Sequence, residues 1–247
     1  MKKRLCFLTA ILALLVLSAC GGETAGTWTP VEDFQFTLEE AAGIDGDNET
    51  FDPDGFDPAR INDPEHDYKP WGWLDENTIL CSRSDKDDFT DTELAAVTLE
   101  GSVSELDVDI DAYTMVTAQD GVVIYGKLYE TVLPDGVTFA RWEGTEDLTP
   151  IHHFEDGVAL SFQQFFSPDG SKAVMSWIPE VPGTDWKVRV IDLKTGEHQD
   201  LTPPEIESEE PIALFTRWLD DRTILVTAAS DLTNGSDAAA WKYSLPK

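Results

Sequence analysis

The chain has 247 residues, 48 acidic against 17 basic side chains, and a formal charge of −31 at neutral pH. So acidic a chain excludes the nucleic-acid binders, which need Lys and Arg to neutralise phosphates, and it is repelled by anionic lipid head groups. With 41% hydrophobic residues it still carries enough apolar side chain for a folded core, which places it among globular rather than disordered chains.

Met1-Lys2-Lys3-Arg4 is a basic start, followed by a short apolar stretch from Leu5 to Leu17. That stretch is too short for a comfortable membrane span and carries the flanks of a signal peptide. Leu17-Ser18-Ala19-Cys20 then resembles a bacterial lipobox, so residues 1–19 are expected to be removed and Cys20 to be lipidated. A thioether-linked diacylglycerol with an amide-linked acyl chain such as palmitate supplies the two or more chains that stable anchoring takes. The alternative is an ordinary secretory signal whose cleavage site carries a cysteine. The lipobox reading puts the protein on the extracytoplasmic face of a bacterial membrane. Cleavage removes three basic residues and no acid, taking the formal charge to −34.

Residues 20–67 form the second expected region: the lipidated cysteine, a tether and an acidic irregular segment. Gly21 to Gly26 is small and polar, as a tether should be. Val31 to Leu38 alternates apolar and polar, with Phe34–Leu38 as its candidate strand. From Gly43 to Asp67 the chain is dense in Asp, Gly, Pro and Asn. Within it Asp45, Asp47, Glu49, Asp52, Asp54 and Asp57 place oxygen ligands at near-alternate positions, a spacing that can wrap calcium. The EF-hand order is missing and prolines interrupt the run, so an acidic linker with Asx turns is the competing account; no metal or other cofactor is assigned.

Cysteine usage adds little: Cys6 is in the signal, Cys20 is the lipid site, and Cys81 is left without a disulfide partner. Following the apolar run Thr78-Ile79-Leu80, it is expected to be a buried small hydrophobe.

Residues 68–247 form the third region, and here the chain repeats. Trp73-Leu-Asp-Glu-Asn-Thr-Ile-Leu80 parallels Trp218-Leu-Asp-Asp-Arg-Thr-Ile-Leu225, 145 residues later, or three periods of about 48. The intermediate copies fall in phase, as Asp120-Gly121 before Val122 to Tyr125 and as Ser167-Pro168-Asp169-Gly170 before Lys172 to Ile178. Third strands follow at Glu93–Leu99, Val137–Trp142, Trp186–Leu193 and Ala238–Leu245. Leu148-Thr149-Pro150 and Leu201-Thr202-Pro203 match each other as ends of fourth strands. Pro and Gly at the turn positions and alternation in Lys187 to Leu193 give each unit its strands and punctuation.

The ordered set from Phe165 to Thr202, with Ser-Pro-Asp-Gly opening one strand and Val190-Ile-Asp-Leu-Lys-Thr-Gly-Glu197 closing the next, resembles the repeat of the TolB-like (WD40-like) β-propellers. The resemblance implies an all-β, propeller-like fold of about four four-stranded antiparallel blades. Propellers of that family have six or seven. The last repeat stops after its third strand, and the N-terminal Phe34–Leu38 segment is available to complete it; otherwise the array closes on itself as four blades or stays an open arc.

No nucleophile elbow, zinc-binding H-E-x-x-H, phosphate loop or CxxC pair occurs, so no catalytic residue is assigned and the chain is not expected to be an enzyme. His152-His153 is the one histidine pair, and neighbouring strand residues point to opposite faces, which disfavours a shared metal. His66 and His198 are expected to be exposed in polar loops. Trp71, Trp73, Trp177, Trp186 and Trp218 are expected to pack between blades. The resemblance implies protein–protein contacts at the cell envelope through an anchor on Cys20, with no nucleic acid bound and no partner-binding residue transferable. The alternative is a solute- or glycan-binding lipoprotein that uses the aromatic rings, and a third option is a degenerate accessory domain of a hydrolase.

Overall fold

The computed structural model describes residues 26–37, 41, 51–87, 91–111, 114–127, 136–154, 157–159, 164–179, 186–204, 213–229 and 238–246. Cys20 and the acidic residues Asp45, Asp47 and Glu49 lie outside them. The described chain is all-β, and its antiparallel strands follow the repeats. Blade A comprises β2 (His66–Trp73), β3 (Thr78–Asp85), β4 (Asp91–Thr98) and β5 (Val103–Asp111). Blade B comprises β6 (Thr114–Gln119), β7 (Val122–Lys127), β8 (Val137–Trp142) and β9 (Leu148–Phe154). Blade C is built from β10 (Gly157–Ala159), β11 (Lys172–Pro179), β12 (Lys187–Asp192) and β13 (His198–Leu201). Blade D takes β14 (Ala213–Asp220), β15 (Thr223–Ala229) and β16 (Ala239–Ser244), and it is completed by β1 (Thr27–Pro30) from the other end of the chain.

An N-terminal strand therefore does complete the last blade, but it is not Phe34–Leu38. β1 pairs with β16 in the register Thr27↔Ser244 to Pro30↔Trp241, and Trp28 lies against Tyr243 with ring centroids 4.7 Å apart. The alternation from Val31 onward is broken because Asp33 takes a positive φ of 56° in a turn. Residues 34–37 are irregular, and Phe36 packs its ring on Phe215 of blade D instead, at 5.6 Å.

Alternation gives each blade two apolar faces, and the faces stack. On β3 and β4, Leu80, Leu94 and Ala96 point towards blade B, where Val116, Ala118 and Val123 meet them. Val122, Ile124, Phe139 and Phe154 of blade B meet Phe165, Met175, Trp177 and Ile191 of blade C. Val174, Val188 and Val190 of blade C meet Leu214, Trp218, Ile224 and Val226 of blade D. Among the described residues no neighbouring blade covers the far face of blade A, with Ile79, Cys81, Ala95 and Val97. Ile61, Phe51 and Phe56 from the preceding segment cover it, so this segment is part of the core.

Blades A and B share one curled eight-stranded sheet because their inner strands run parallel and touch at Gly72 and Ala118. A side chain on Gly72 could not fit there: a Cβ would lie 2.0 Å from the Ala118 carbonyl oxygen. β2 also carries a bulge between Pro70, which has no N–H to donate, and Gly72.

Three of the four repeated turns are each held by one aspartate. In Ser167-Pro-Asp-Gly170 the Gly170 N–H donates to the Ser167 carbonyl, and Asp169 accepts from the Ser171 N–H and from the Ser167 hydroxyl. Those bonds, the backbone N–H of Ser171 first, hold the Asp169 carboxyl down at about 2. Asp75 and Asp220 accept in the same way from the N–H two residues on, at Asn77 and Arg222. The blade B turn departs from this plan. Asp120 and Gly121 both take positive φ, the geometry of a two-residue hairpin loop. The matched Leu-Thr-Pro triplets are not equivalent: Leu148 starts β9 opposite Trp142, whereas Leu201 ends β13 opposite Val188.

Strand direction sorts the connections onto two rims. Residues 74–77, 99–102, 120–121, 143–147, 193–197 and 221–222 are short turns on one rim, joined there by the Ser167–Ser171 turn. The opposite rim is marked by the strand ends Asp85, Asp91, Lys127, Val137, Pro179, Lys187, Ala213, Ala229 and Ala239.

Candidate functional site: a polar cleft on blade A

The segment entering blade A builds the site. Asp57 caps a 3-10 turn at Pro58–Arg60 by accepting from the Ala59 N–H, and proline at the first position suits that role. Arg60 donates to the Leu99 carbonyl at 3.0 Å, fastening the turn to the blade. Ile61 then drops into the core and Asp63 is left facing β2.

Asp63 collects donors. Its carboxylate lies 2.9 Å from His66 Nδ1 and accepts from the Tyr68 hydroxyl at 2.8 Å and the Glu65 N–H at 3.2 Å. The bond from His66, followed by that from Tyr68, lowers the Asp63 carboxyl to about 2. Tyr68 moves the other way: burial, then the bond to Asp63, pushes its hydroxyl up to about 12. The other nitrogen of His66 lies 3.0 Å from Asp85 Oδ1, so the ring is clamped between two carboxylates.

The β2–β3 hairpin register makes this geometry. His66 is opposite Asp85 and Tyr68 is opposite Arg83, and period two puts the members of each pair on one face. The Arg83 guanidinium bonds to Glu93, its cross-strand partner on β4, and to Glu105 on β5. Burial opposes the charge of Arg83, but the carboxylates of Glu105 and Glu93 outweigh it and its pKa is raised. Around these groups lies a cavity of about 510 Å³ reaching Ser104, Glu105 and Glu146. A second, of about 410 Å³, reaches Pro58, His66 and Lys86; Ile61, Asn62, Asp63 and Tyr68 line both.

His66 is therefore not an exposed loop residue: it is in β2, with its side chain 22% exposed. His198 is exposed as expected, though on β13. His152 and His153 do point apart. His153 is exposed and within 2.9 Å of the Thr138 hydroxyl, while His152 is half-buried against Phe154 and His198. Arg189 Nη1 approaches His152 Nε2 at 3.2 Å. Burial, then the Arg189 charge, lowers His152 to about 4, so its ring is neutral at neutral pH. Arg189 itself is spread over the rings of Phe154 and Trp177 and is held by both oxygens of Asp200. Among the described residues no group of three or more His, Cys, Asp or Glu side chains is placed to hold a metal ion. Asp57, at the end of the proposed calcium run, is engaged in capping.

Four of the five tryptophans pack between blades as expected: Trp177 and Trp218 are buried there, and Trp71 and Trp186 are half-buried against the same apolar layers. Trp73 does not, because it is on the far face of blade A, where it meets Phe51 and Ile61 of the preceding segment. Trp71 also donates to the Ser82 hydroxyl and lies under the Lys69 ammonium. Cys81 is fully buried, and burial raises its thiol to about 12. The sequence reading missed the Asp63–His66–Tyr68–Arg83 network. The signal was present in the hairpin register, which sets His66-x-Tyr68 against Arg83-x-Asp85.

No known protein family matches the chain, and no curated protein does. Solved structures do. One is a protein of unknown function from Dyadobacter fermentans DSM 18053, at 15% identity and a TM-score of 0.40, covering 72% of this chain and 54% of that one. Another is TolB from Acinetobacter baumannii, at 17% identity and a TM-score of 0.35, covering 74% of this chain and 45% of that one. This chain thus spans about half the length of these neighbours, with a weak β-propeller-like resemblance.

Proposed function

We propose that the protein is a lipid-tethered binding module that works without catalysis at the extracytoplasmic face of a bacterial membrane, with a protein as its partner. The observation that carries this reading is the blade A cleft. In it Asp63 is tied to His66 and Tyr68, and Arg83 to Glu93 and Glu105. Groups held in this way present a fixed pattern of charge and hydrogen-bonding atoms, and a preorganised surface loses little freedom on binding. The anchor on Cys20 rests on the lipobox, and the protein–protein role on the TolB-like repeat. The competing use of the tryptophans as sugar platforms loses ground, because the five rings at repeat positions are engaged in packing.

In-cell photo-crosslinking of the tagged, full-length protein tests this, with the crosslinker at Ser104 in the cleft and at Lys194 on the remote turn of blade C. A recurrent protein adduct from Ser104 that is absent from Lys194 is expected. Recovery of the protein alone from both positions, at normal expression, overturns the protein-partner reading.

A further inference from the structure

We infer that the tether holds the molecule with its short-turn rim towards the bilayer and presents the opposite rim to the surroundings. This rests on the lipid anchor proposed above, and it follows from where β1 begins.

Thr27 pairs with Ser244 at the last position of β16. Next to it, Leu245 accepts from Arg222 in the β14–β15 turn and donates back to the Arg222 carbonyl. The N-terminal end of β1 is therefore at the short-turn rim, and Pro30, opposite Trp241, lies towards the other. Gly26 is in contact with blade D, since a Cβ there would meet the Tyr243 ring.

Length decides the orientation. Gly21 to Gly26, fully extended, spans roughly 20 Å at about 3.4 Å per residue. The seven steps from Ala213 to Asp220 along β14 rise about 23 Å at 3.3 Å per step. A tether starting at the short-turn rim is thus shorter than the blade is tall, and it cannot carry Cys20 past the opposite rim. The turns that face the bilayer carry Asp75, Glu76, Glu100, Glu143, Asp220 and Asp221, which anionic head groups repel. The rim is held near the membrane by the lipid and does not adhere to it.

The test uses the full-length lipidated protein in phosphatidylcholine vesicles containing an acceptor dye, with one donor fluorophore per variant. Glu76→Cys and Asp87→Cys put that donor at exposed positions beyond opposite ends of β3. Cys81 does not compete for label, being fully buried. Higher transfer from position 76 than from position 87 is the expected result. Equal transfer, or the reverse order, in protein that floats with vesicles only when Cys20 is intact overturns the orientation and leaves the anchor standing. Flotation that survives Cys20→Ser, or no flotation of the unaltered chain, overturns the anchor and the orientation together.

Discussion

The indole N–H of Trp218 donates to the main-chain carbonyl of Phe165 at 3.0 Å, a bond from blade D to blade C made wholly inside the core. The same carbonyl accepts from the Val174 N–H at 2.8 Å, so one oxygen serves both the ladder within a blade and the contact between two. Trp218→Phe keeps an apolar ring but removes the inter-blade donor. A loss of about 1–2 kcal/mol is expected from the bond, with a further cost for the space left by the smaller ring. Urea melts should show a lower midpoint at unchanged slope; a loss below about 0.5 kcal/mol would count against a structural role for this bond.

Gly72→Ala is expected to be worse than its size suggests. The added carbon meets the Ala118 carbonyl, which is backbone on the neighbouring blade and has no rotamer to escape into. Overpacking of this kind costs about 1–3 kcal/mol or more. Thermal melting should show it, while a control Gly144→Ala, whose Cβ meets nothing within 4 Å, separates crowding from backbone strain, since Gly144 sits at φ +81°.

Asp63 makes stability depend on acid. Its carboxyl titrates at about 2 in the folded protein, against about 3.9 for a free aspartate. A group whose folded value is depressed adds stability above the unfolded value and loses it as pH falls towards the folded one. Stability from Asp63 is therefore complete above about pH 4 and declines between about pH 4 and pH 2. Asp63→Ala should be less stable than the parent at pH 6, and the gap should narrow by pH 2.5 in parallel denaturant melts.

Tyr68 reports the same bond from the other side. Burial and then Asp63 raise its hydroxyl to about 12, so its share of stability is present below the free value near 10 and lost as pH climbs from 10 to 12. In Asp63→Ala, ultraviolet titration of the phenols should show one ionisation move down part of the way towards 10. It should stop short, because the burial remains.

Trp28→Ala tests whether β1 is a working strand of blade D. It removes the ring lying on Tyr243 and about 1–3 kcal/mol of aromatic packing and burial. Limited proteolysis after residue 30 should become faster in the variant, and unchanged resistance would mean that β16 does not need its outer partner.

The blade plan was legible because turn chemistry and alternation are local. Ser167 to Gly170, Asp75, Asp120-Gly121 and Asp220 mark the same step in each repeat, and the second and third strands fall where those marks put them. The fourth strand of blade D was legible only in outline. Phe34–Leu38 alternates well, but Asp33 turns the chain away and the shorter Thr27–Pro30 takes the edge. The cleft was not read from the sequence because it depends on register. His66 and Asp85 are 19 positions apart in the chain and become neighbours only when the hairpin is folded. The covering of blade A by Ile61, Phe51 and Phe56 was hidden in the same way, inside a stretch whose composition resembles a linker.

The β1–β16 ladder also determines how the molecule bears load. Any pull on the chain ahead of Thr27 enters blade D along the axis of β1, antiparallel to β16. Ladder hydrogen bonds lie across the strands, so such a pull strains the bonds of the pair together in shear and does not unzip them one at a time. Four residues at the edge of the last blade thus form the mechanical joint between the folded body and whatever holds its N-terminus. If that joint slips, blade D loses its outer strand while blades A to C keep all of theirs.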